Sequence, residues 1–201
     1  FAGKYQVRTR VLSSLTPAEI PVEEEAVSGT LITFEEDDNM EQAVISGIAF
    51  SRDAAKITVT HVPDRPGIAY QILGPVAAAN IEVDIIIQNQ SVGGMTDISF
   101  TVPHTEFKRT MEIMEREVRG PLGTGDIIGD PDICKVSAVG IGMRSHAGVA
   151  STMFKTLFEE GINIQMISTS EIKISVVIAD KYMELAVRAL HKAFGLEQEI
   201  V

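Results

Sequence analysis

The chain has no tryptophan and a single cysteine, Cys134, among 201 residues. One thiol closes no internal disulfide, so the fold has to stand without covalent staples, as suits a reducing, cytoplasmic setting. Cys134 lies in an apolar stretch and reads as a buried, inert thiol. Basic residues are also in short supply, 17 against 28 acidic ones, for a net charge of -11. Without a basic cluster on one face, such a surface repels nucleic acid, which removes that class of partner. No apolar run approaches the roughly 20 residues that span a bilayer. The start, Phe1-Ala2-Gly3-Lys4-Tyr5, lacks the apolar core of a signal peptide, so the expectation is a soluble, unexported chain. Its first residue is not Met, which fits a fragment or a processed subunit equally.

Catalytic signatures are missing too. His61, His104, His146 and His191 are far apart in the sequence, and none has a carboxylate or cysteine at metal-ligand spacing. Gly120-Pro121-Leu122-Gly123-Thr124-Gly125 is glycine-rich, but no Gly-Lys-Ser/Thr follows to hold phosphate and Mg²⁺, and it reads as a connection. No Gly-x-Ser-x-Gly elbow occurs. Glu35-Glu36-Asp37-Asp38 reads as a solvated acidic helix start rather than a metal site. No catalytic centre is expected in this chain.

What the chain does contain is a repeat. Setting Gly67 on Gly148 also sets Ile68 on Val149, Ala69 on Ala150, Ile81 on Ile162 and Val83 on Ile164. Each half passes from strand-like to helical to strand-like periodicity. Ile57, Val59 and His61 alternate with Thr58, Thr60 and Val62. Ile68, Ile72 and Val76 then recur at helical spacing beside Ala69, Leu73 and Ala77. In the second copy Val149, Met153 and Leu157 do the same beside Ala150, Phe154 and Phe158. Pro75 should kink or tighten the first helix, and Asn80 and Gly161 stand at expected helix C-termini. Strands are predicted over 83–90 and 96–102, joined by a glycine hairpin at Gly93-Gly94, and again over 164–168 and 172–178. A second amphipathic helix closes each half. Phe107, Met111, Met114 and Val118 mark one; Tyr182, Ala186, Ala189 and Ala193 mark the other.

The fold class is therefore α+β: two ferredoxin-like βαββαβ modules, antiparallel sheets with helices on one face. Asp126 to Gly129 supplies the fourth strand of the first. The second has only Gly195 to Val201 left, a poor buried strand because of Glu197 and Glu199. Ala43 to Phe50 is a well-formed strand without a local partner. It is expected to complete the second sheet, so that module 52–130 is inserted between 40–51 and 131–201. Before the repeat, Tyr5 to Leu12 and Gly29 to Phe34 read as short strands, and 16–27, with Pro17, Pro21 and Glu23-Glu24-Glu25, as loop or disordered chain.

Asp64-Arg65-Pro66-Gly67 turns strand into helix. As structure alone it is a good turn. As a site, helix N-terminal amides can hold a carboxylate while Asp64 holds an ammonium group, the two charges of a free amino acid. Asp84, Gln88 and Asn89 on the following strand could complete such a site, or could be solvated edge residues.

These residues, with Thr96-Asp97-Ile98-Ser99-Phe100, Ser145-His146-x-Gly148-Val149 and the run Ile167-Ser168-Thr169-Ser170-Glu171-Ile172-Lys173-Ile174-Ser175, resemble the paired ACT domains of aspartate kinases over roughly residues 40–196. The resemblance implies a regulatory region or β subunit that pairs as a homodimer through its ACT sheets and binds the feedback inhibitors threonine and lysine. It implies that residues 1–34 are a remnant of the catalytic domain, and that ATP and Mg²⁺ belong to that catalytic part or subunit. Carried over by position, the effector pocket is lined by Asp64, Gly67, Ile68, Ala69, Asp84 and Gln88 from the first module. Ala150, Asn163, Ile164 and Ser170 contribute from the second. The chain departs from the family at Ala147 and Ala150, where threonine or proline is common, which bears on a second, pseudo-symmetric lysine site. Two other readings stand beside this one: a free-standing ACT protein that binds amino acids for another controller, and a purely structural dimerisation module.

Overall fold

Burial patterns along the chain organise the molecule around strands with one apolar face. A computed structural model of the chain describes residues 7, 9–12, 30–32, 45–89, 93–140 and 148–197. The expectations for 16–27, the acidic run 35–38 and the turn Arg144 to Ala147 lie outside the described residues. Two units separate, Phe1–Gln42 and Ala43–Val201. In the first, β1 (Thr9–Val11) pairs antiparallel with β2 (Thr30–Ile32), so both short strands expected near the N-terminus are present.

The second unit holds two four-stranded antiparallel sheets. The first contains β4 (Ala55–Pro63), β5 (Ile86–Gln88), β6 (Met95–Val102) and β7 (Ile127–Asp130), in the spatial order β5-β6-β4-β7. Helix α1 (Ile68–Ala78) connects β4 to β5. Helix α2 (Phe107–Ile113) continues through a π-helical stretch, Met114–Arg119, and a last turn, Gly120–Leu122, before β7. The glycine-rich segment thus begins as helix, which Gly123 ends at φ 63°. Ile57, Val59, Ile72, Val76, Ile98, Phe100, Met114 and Val118 are fully buried between sheet and helices. At roughly 25 cal/mol per Å² of apolar surface, such residues dominate the module's stability.

The second sheet contains β3 (Gly47–Ser51), β8 (Ile133–Val139), β9 (Met166–Thr169) and β10 (Lys173–Ala179), in the order β3-β8-β10-β9. Helices α3 (Val149–Glu159) and α4 (Met183–Ala193) cover one face. β3 takes the place that β7 holds in the first sheet, running antiparallel to β8 with Ile48 opposite Ala138 and Phe50 opposite Val136. Ile45 is 5% exposed in the same core. The chain therefore enters the second sheet, builds the whole first module, and returns.

Both connecting helices end in the same way. Asn80 at φ 57° and Gly161 at φ 67° take the left-handed conformation. Their amides donate to Ala77 O and Phe158 O, while the next amides, of Ile81 and Ile162, donate to Val76 O and Leu157 O. This Schellman pairing satisfies otherwise orphaned carbonyls. α1 runs on through Pro75 to Ala78, so the proline is accommodated within the helix.

Three expectations change. His61 does not share the buried face of Ile57 and Val59: a bulge between Val59 and Val62 leaves it exposed at φ 51° and turns Val62 inward. The backbone is held there by Gly125 N donating to Thr60 O, and a Cβ on Gly125 would lie 2.7 Å from Thr60 Oγ1. Phe158, expected on the apolar stripe of α3, is 80% exposed. In α4 the buried stripe is Met183, Ala186 and Leu190, with Ala193 exposed, because the helix begins at Met183 after a 3₁₀ turn.

Candidate effector site and module junction

The corner that follows β4 is fixed by the sheet behind it. Pro63 pairs with Met95 and the Asp64 amide donates to Gly94 O at 2.9 Å, tying the turn to the β5–β6 hairpin, where Gly93 and Gly94 have φ of 69° and 79°. Gly67 caps α1 at φ 87°, a left-handed angle that disfavours any residue with a Cβ. Gly148 plays the same part for α3 at φ 113°. The Ile68 amide is already engaged with Arg65 O at 3.2 Å, and the Ile68 side chain is buried in the core. The amides of Ala69 and Tyr70 are therefore the remaining first-turn donors, since the Gln71 amide opens the helical pattern on Gly67 O. The Asp64 carboxylate is exposed and has no described hydrogen bond or ion pair. A helix start with open amides and an exposed carboxylate thus share one turn of the chain.

Gln88 is exposed at the end of β5, an edge strand, opposite Ile98 on β6. The main-chain carbonyl of its neighbour Asn89 accepts from Thr96 Oγ1 within the hairpin. In the second module Asn163 is exposed and Ile164 packs partly on the core before β9. Ser170 is exposed after β9, its amide donating to Lys173 O at 2.8 Å. Asn163 and Ser170 thus lie at opposite ends of that edge strand. Ala150 sits in the first turn of α3, half-buried.

Asp84 stands two residues before β5. Its carboxylate pairs with Lys135 of β8, across the junction between the modules. It also lines a cleft of about 430 Å³ with Asp53, Glu82, Val83, Thr101 and Pro103, away from the Asp64–Gly67 turn. The turn offers open main-chain amides beside an exposed carboxylate, whereas the cleft is lined by the carboxylates of Asp53, Glu82 and Asp84, the last paired with Lys135.

The sheets meet through their helix-free faces. Ala54, Ile85, Ile133, Met166 and Val177 are buried together, with Ile87 packed on them. Ile133 and Lys135 point this way because Cys134, Val136 and Ala138 alternate into the other core. Two polar contacts flank the apolar cluster: Lys135 Nζ with Asp84 Oδ2, and Lys56 Nζ with Gln165 Oε1. Gln165 Nε2 reaches on to Asp130 Oδ2 at 3.3 Å. Sequence reasoning passed over these lysines because they sit singly among apolar neighbours; the signal available was their identical place in the two copies. Among the described residues no three His, Cys, Asp or Glu side chains converge on a metal site, and no helix is long and apolar enough to cross a membrane.

Both modules match the ACT-domain family model, over residues 57–118 and 136–194. The chain belongs to the ACT-domain family. Its near relatives narrow that class. It is 55% identical over 197 residues to an aspartate kinase of Pseudomonas putida, an alignment covering 98% of this chain and 46% of that protein. The chain thus spans about half the length of the curated relatives it matches. Among solved structures, a chain of the aspartokinase alpha and beta subunits superposes with a TM-score of 0.71 at 63% identity, covering 75% of this chain and 99% of that one. The ligand-free regulatory subunit of aspartate kinase from Thermus thermophilus gives 0.71 at 39% identity, with the same coverage.

Proposed function

We propose that this chain is the amino-acid-sensing regulatory part of an aspartate kinase, binding threonine, lysine or both at the strand-to-helix turn of its first module. The observation that carries this is the pairing of Asp64 with the open first turn of α1, one charge complementary to each end of a zwitterion. Regulation follows by linkage: an effector that binds the tightened ACT arrangement better than the relaxed one shifts the population toward an inhibited kinase. ATP, Mg²⁺ and aspartate would be handled by a catalytic domain or subunit, in the cytoplasm.

A homodimer is part of the proposal. Ile86 on β5 and Ile167 on β9 occupy equivalent places in the two copies, both on edge strands, and are 52% and 43% exposed. Exposed apolar side chains on open sheet edges favour pairing with another copy. Through that pairing Asn163, Ile164 and Ser170 of one chain would meet the Asp64 turn of its partner.

A thermal-shift screen of the chain against the twenty amino acids tests the reading. Selective stabilisation by threonine or lysine supports it. Stabilisation by other amino acids only would favour a free-standing regulator, and no response to any would favour a structural dimerisation module.

A further inference from the structure

The two lysines at the module junction occupy one structural position twice. Lys56 stands opposite Thr101 in the first sheet, and Lys135 stands opposite Val177 in the second, each on the inner strand that precedes its module's connecting helix. Each reaches across to the residue just ahead of the other module's edge strand: Lys135 to Asp84, two residues before β5, and Lys56 to Gln165, immediately before β9. These two acceptors are themselves equivalent in the repeat.

Each acceptor segment is otherwise held by its own sheet. The Asp84 amide donates to Thr101 O at 3.1 Å, and the Gln165 amide donates to Val177 O at 2.8 Å. The lysine is thus a polar tie from the neighbouring module onto the base of each edge strand, beside the apolar packing of Ile85 and Met166. The ties are not identical in chemistry. Lys135–Asp84 is an ion pair with the lysine side chain only 22% exposed, while Lys56 meets a neutral amide that is itself oriented by Asp130.

We propose that Lys56 and Lys135 form a reciprocal linkage, each inner strand clamping the base of the other module's edge strand, so that ordering of one edge strand is transmitted to the opposite module. The proposed effector residue Gln88 lies on one edge strand and Ser170 directly follows the other, and in that respect the inference rests on the functional reading above. The mechanical part does not need a ligand. With the tie cut, the base of an edge strand keeps its own hairpin and the apolar junction packing of Ile85 and Ile87 or of Met166, and it opens more often.

Hydrogen–deuterium exchange of the full chain, with Lys135→Met and Lys56→Met compared with the unaltered sequence, tests both parts. Methionine keeps the stem's length and packing while removing the charge. Without ligand, Lys135→Met is expected to speed exchange of the amides 84–88 in the first module roughly two- to fivefold, the range for a partly exposed ion pair. Lys56→Met is expected to do the same for 165–169 in the second. Faster exchange confined to the substituted strand's own sheet, or no change across the junction, would overturn the linkage whatever the chain binds. With threonine or lysine added at saturation, protection in the unaltered chain should extend to both edge strands, and in Lys135→Met to one. Protection reaching both strands in that variant would also overturn it. Absence of any ligand effect in the unaltered chain would count against the effector reading alone, leaving the ligand-free comparison to decide the linkage.

Discussion

Cys134 is fully buried in the second core, opposite Ile178 on β10. Burial, reinforced by the nearby Asp180 charge and opposed by Arg52, pushes its thiol up from 9.0 to about 11. The folded state therefore favours the protonated thiol. Its contribution to stability is complete below the unfolded value near 9 and is lost as pH rises toward about 11. Urea unfolding between pH 8 and 10.5 should show a steeper alkaline loss for the natural chain than for Cys134→Ala; equal slopes would contradict this. The inertness of this thiol was legible from its apolar neighbours. The bulge at His61 was not, because it is set by Gly125 approaching from 65 residues away, and local alternation carries no trace of so distant a contact. The partner of Asp84 is hidden from the sequence for a similar reason: Asp84 stands two residues before β5, and Lys135 comes from the other module.

At the scale of elements, β3 is the test of how the modules are threaded. The second repeat lacks a fourth strand of its own and this earlier segment has no local partner, so the sequence predicts that they pair. The structure supplies the pairing, Gly47 opposite Val139 through Ser51 opposite Lys135. A chain trimmed to start at Arg52 should leave β8 as an unprotected edge, with exchange of its amides faster and exchange in β4 unchanged. Unaltered protection of β8 would mean that β3 contributes nothing to the second sheet. Element types and order were readable from periodicity, while helix phase was less so. α4 is rich in small and amphipathic residues, so alanine spacing alone does not mark its buried stripe, which runs through Met183, Ala186 and Leu190. β5 is shorter than expected, Ile86–Gln88: before it the chain stays tied to β6 through the Asp84 amide on Thr101 O and the Thr101 amide on Ile85 O, while the Ile85 amide turns to the Thr101 hydroxyl.

For the whole molecule, duplication explains both what the two sheets share and how they are joined. Equivalent glycines open both connecting helices, equivalent left-handed residues close them, and equivalent lysines bridge the sheets. The repeat itself was plain in the sequence, but the face-to-face junction was not. Ile85, Ile87, Met166 and Val177 are as apolar as residues inside a module, and a sequence does not say which of two apolar faces meets a helix. The account turns on the Asp64 corner gripping a free amino acid. Calorimetric titration of threonine and of lysine into the natural chain and into Asp64→Ala tests it most directly. Saturable binding by the natural chain, weakened about ten- to a hundredfold by loss of one charge-assisted contact, is the predicted result. Equal affinity in the two chains, or no heat from either ligand in the natural one, would contradict it.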